Sequence, residues 1–116
     1  MIDALIIDAC RTPRGIGKGA LSGIHPQQLG ATVLRALAER TGINTADVDD
    51  IIWGTSSQRG QQSGDLGRMS ALDAGYDVRA SAVTLATTTT GMFFRARLMS
   101  RPIGPSGRAL IGSPFR

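Results

Sequence analysis

Pro26-Gln27-Gln28-Leu29-Gly30-Ala31-Thr32-Val33-Leu34-Arg35-Ala36-Leu37-Ala38-Glu39-Arg40-Thr41-Gly42, followed after a polar turn by Ile51-Ile52-Trp53-Gly54, decides the fold class. In the first stretch Leu29, Val33, Leu34, Leu37 and Ala38 recur at helical spacing. Pro26 suits a first helical turn and Gly42 a C-terminal stop. Asn44-Thr45-Ala46-Asp47 reads as a capped turn leading into the second stretch, whose β-branched apolar run predicts a short buried strand.

Working outward, Ile2-Asp3-Ala4-Leu5-Ile6-Ile7-Asp8-Ala9-Cys10 predicts another buried strand, stopped by Arg11-Thr12-Pro13. Asp65 to Leu72 resumes a helical pattern that ends near Gly75, and Ser81-Ala82-Val83-Thr84-Leu85 predicts a third strand. The order β-α-β-α-β implies an α/β protein with parallel strands and helical crossovers. Such strands want both faces covered, and two helices are scarcely enough for three strands.

The chain has 116 residues, 41% of them hydrophobic, which fits one domain and a packed core rather than a disordered chain. No apolar run approaches the ~20 residues of a membrane span, and the N-terminus lacks the basic and apolar regions of a secretory signal. A cytoplasmic protein is therefore expected. One cysteine excludes a disulfide framework and a Cys-rich zinc site.

The net charge of +4 is unevenly placed. Residues 1–85 carry one lysine and seven arginines against nine acids, a balance of −1. Residues 86–116 carry Arg95, Arg97, Arg101, Arg108 and Arg116 and no acid, a balance of +5. That tail shows no period of two or 3.6 and is expected to be irregular or disordered.

Each motif has a bland reading beside its chemical one. Gly15-Ile16-Gly17-Lys18-Gly19-Ala20 fits a dinucleotide pattern, but such a site needs a helix that begins within the motif, and the helix here waits until Pro26. Lys18 lacks the following Ser or Thr of a P-loop. Cys10 at the end of the first strand reads as a small buried hydrophobe, and His25, the one histidine, as a helix-start residue rather than its catalytic base. Asp47, Asp49 and Asp50 lack the glycine and distal glutamate of a calcium loop and read as a solvated turn. Trp53 reads as core. The tail arginines near Phe93 and Phe94 are too scattered to form a patch, so nucleic acid is not the expected partner.

Several of these residues also carry a likeness to a known family. Asp8-Ala9-Cys10-Arg11-Thr12-Pro13, the glycine-rich stretch into His25-Pro26, Glu39-Arg40-Thr41-Gly42-Ile43, Asp49-Asp50-Ile51-Ile52-Trp53-Gly54 and Gly64-Asp65-Leu66-Gly67-Arg68 resemble the N-terminal segment of the thiolases, the acetyl-CoA acetyltransferase family. The resemblance runs from the first residue to about Leu85. It implies a five-layer sandwich of two similar halves, of which this chain supplies part of the first. Acyl-CoA is then the substrate, no separate cofactor or metal is required, and the third strand lies where copies of the chain meet.

The resemblance also implies a nucleophilic cysteine in the first turn of a buried helix after the third strand. That position falls at Thr89, within Ala86-Thr87-Thr88-Thr89-Thr90-Gly91. A threonine hydroxyl is far less acidic than a thiol and has no base here to activate it. The later Cys and His motifs of the family are also missing from this sequence. Twelve arginines to one lysine suggest a GC-rich gene, in which shifted reading yields Arg, Gly and Pro. The expectation is a truncated or frameshifted thiolase segment over residues 1–85, a non-family tail over 86–116, and no activity alone. Strands left uncovered, Ile2 to Cys10 and Ile51 to Trp53, would make it sticky. The competing reading is a small non-catalytic module that binds nucleic acid or docks on a thiolase.

Overall fold

The computed structural model describes residues 4–86, 95–96 and 108–112. The elements run β1 (Ala4–Ile6), α1 (Pro26–Thr41), a 3-10 turn (Thr45–Asp47), β2 (Asp50–Thr55), α2 (Leu66–Asp73), β3 (Ser81–Ala86), β4 (Arg95–Ala96) and β5 (Arg108–Gly112). Through β3 this is the expected β-α-β-α-β order.

Local chemistry sets the helix ends. His25 caps α1, its Nδ1 accepting the Gln27 N–H at 3.2 Å, and Pro26 follows at a position where no N–H is needed. Gly42 closes the helix in the left-handed region, its N–H donating to Ala38 O at 2.9 Å. Asn44 caps the 3-10 turn through Ala46 N–H, and Asp65 caps α2 through Arg68 N–H.

β2 and β3 pair in parallel with Ile51 opposite Ala82, Ile52 opposite Val83 and Gly54 opposite Leu85. Alternation along each strand therefore separates two faces. Ile51, Trp53 and Thr55 are buried on one of them, against Val33, Leu34 and Leu37 of α1 and Leu66 and Ala71 of α2. Each large apolar side chain so buried contributes roughly 1.5–3 kcal/mol. The faces of Ile51 and Trp53 were expected to be poorly covered, yet these residues are only 0% and 1% exposed. Both helices lie on the same side of the pair, so two are enough for that face.

The first strand departs from its expected form. Among the described residues its ladder covers Ala4–Ile6 rather than Ile2 to Cys10, and Ile6 at its end and Ile7 just beyond it are 73% and 56% exposed. Among the described residues β1 does not join β2 and β3. It pairs in parallel with β5, which pairs antiparallel with β4. Backbone donors and acceptors of β1 are thus met by a partner from beyond residue 85. Within the segment expected to be irregular, the described residues form these two short strands. No helix among the described residues is long and apolar enough to cross a membrane.

The two helices approach β2 through glycines. A Cβ on Gly30 would stand 2.5 Å from Ser70 Oγ and 2.6 Å from Trp53 Cη2, and one on Gly67 would stand 2.7 Å from Trp53 Cβ. Tyr76, the one tyrosine of the chain, is buried beside them and donates its hydroxyl to Leu34 O at 2.9 Å. Burial pushes its ionisation up to about 12.

Two outcomes follow from this packing. Gly30→Ala and Gly67→Ala each lower stability by about 1–3 kcal/mol, read from the denaturant midpoint. Gly23→Ala, where a Cβ meets nothing within 4 Å, serves as the unaffected control. Absorbance titration of the single tyrosinate gives a midpoint near 12. Because the unfolded side chain ionises near 10, this residue costs nothing below pH 10. Between pH 10 and about 12 the unfolded state alone ionises and stability falls; Tyr76→Phe removes that part of the fall.

Candidate functional site

Parallel α/β strands present their ligand-binding loops at their carboxyl ends. Here that end is formed by Thr55 of β2, Thr84 and Leu85 of β3, the loop 56–65 and the first turn of α2. The loop is polar because it must satisfy its own backbone at the surface. The Thr55 hydroxyl lies 3.0 Å from both Ser57 O and Gln62 Oε1, and Gln58 Nε2 donates to Thr84 O at 3.3 Å.

The tightest cluster is a closed ring. Thr84 donates its hydroxyl to Asp65 Oδ1 at 2.6 Å and accepts the Gly67 N–H at 2.9 Å, while the same carboxylate oxygen accepts the Arg68 N–H at 3.1 Å. One threonine and one aspartate thereby fasten the N-terminus of α2 to β3. Arg68 extends the fastening, donating to Val78 O at 2.6 Å and also to Ala80 O. These are positioning contacts. They fix β3 against the first turn of α2 and the loop before it.

The residues singled out in the sequence are used structurally. The Cys10 thiol is half-buried and donates to Val33 O at 3.6 Å. Burial pushes its ionisation up, the Arg40 cation beside it pulls down, and Asp8 pushes up again. Arg40 itself is held by Asp8 at 2.9 Å. His25 uses its Nδ1 on the helix cap, and the Cys10 thiol bonds a backbone carbonyl of α1. Gly15 to Ala20 is a surface turn in which Lys18 takes φ 59°, with α1 beginning only at Pro26.

Of the aspartates, Asp47 ends the 3-10 turn, and Asp50 Oδ1 accepts the Ile51 N–H at 2.9 Å and the Ser81 hydroxyl at 3.2 Å. Among the described residues no three His, Cys, Asp or Glu side chains converge in a metal-binding group. Thr89, Phe93 and Phe94 lie outside the described residues. The sequence reading saw Asp65 as the start of a helical pattern but missed its ring with Thr84. That contact joins positions 19 apart, and no local pattern announces it.

The fold is an α/β unit built on a parallel strand pair, with an Asp-capped helix fastened to β3. Similarity to known proteins then gives the family. The thiolase N-terminal domain matches residues 4–92, and the chain belongs to the thiolase family.

A steroid 3-ketoacyl-CoA thiolase of Mycobacterium tuberculosis is 47% identical over 85 residues, covering 73% of this chain and 21% of that protein. A beta-ketoadipyl-CoA thiolase of Acinetobacter baylyi is 44% identical over 86 residues, with the same shares. The crystal structure of the Bacillus anthracis acetyl-CoA acetyltransferase superposes with a TM-score of 0.53 at 31% identity, covering 59% of this chain and 17% of that one. The chain thus spans about a fifth of the length of the curated relatives it matches.

Thr84→Val keeps the shape of the side chain but strands the Gly67 N–H and one Asp65 lone pair. It is expected to cost about 1–3 kcal/mol. Thermal melts of Thr84→Val, Asp65→Ala and the double variant should be non-additive, since all three break one ring.

Proposed function

We propose that this chain is the opening α/β unit of a thiolase and that it does not transfer acyl groups on its own. The relatives are named as thiolases and an acetyl-CoA acetyltransferase, so the parent reaction is acyl transfer between CoA thioesters. That chemistry needs a thiolate nucleophile. One observation carries the reading. Cys10 is the sole thiol of the chain, and it is committed to Val33 O with its ionisation pushed up by burial. The position that the family resemblance assigns to the nucleophile is Thr89, a hydroxyl.

The acid-free composition from residue 86 onward supports a shift of reading frame after Leu85. The family kinship supports a cytoplasmic place in acyl-CoA, including fatty-acyl, metabolism. β3 bonds β2 and no other described strand, which supports its outer edge as the contact between copies.

The purified chain, incubated with acetoacetyl-CoA and CoA, is expected to consume no thioester above the blank and to carry no acyl adduct by mass spectrometry. Turnover or an adduct on Cys10 overturns the reading. Translating the gene in its other frames past codon 86 is expected to show a cysteine-bearing family motif. Its absence from every frame defeats the frameshift.

A further inference from the structure

We draw no further inference here: the strongest candidate, the surface loop between β1 and α1 that carries the exposed cations Arg11, Arg14 and Lys18 together with the 80% exposed Ile16, carries none, because nothing in the structure shows what covers it.

Discussion

The approach of two helices to one tryptophan is the constraint on which the described structure depends. Trp53 sits in β2 with Gly30 of α1 over its ring edge and Gly67 of α2 against its Cβ, at separations that exclude any larger side chain. Interiors pack at crystal-like density, so this wedge sets the spacing of both helices at once. Leu34, Ile51 and Leu66 then fill the surrounding volume. The Tyr76 hydroxyl donates to Leu34 O within the same corner, so that hydroxyl is buried with a partner.

From that core the polar fastenings follow. Gly67 touches Trp53 with its Cα side and donates its N–H to Thr84, so the packing of the helix and the anchoring of β3 share one residue. Asp65 links them by capping α2 and accepting from Thr84. The result is a rigid corner at the carboxyl end of the strands, where α/β proteins generally place their chemistry. The titratable groups nearest to catalytic use, Cys10 and His25, are committed to a carbonyl and a helix cap.

Much of the fold was legible because its signals are local. Pro26, Gly42, Asn44 and Asp65 act on backbone groups within a few residues, and each stands where the structure uses it. The periodicity of Val33, Leu34 and Leu37 likewise reports one helix face. The extent and partner of the first strand were not legible, since β-branched composition shows that a segment can form a ladder and not which partner it finds.

Local sequence signals carry the α/β order, the helix ends, the apolar runs of the strands and the family. The sequence also determined the absence of a thiol at position 89. Only the tertiary structure decided that both helices cover the same side of β2 and β3. It alone tied Thr84 to Asp65. The physical reason is separation along the chain. Helix caps act over two to four residues, whereas the side of a sheet that a helix takes depends on contacts among segments tens of residues apart.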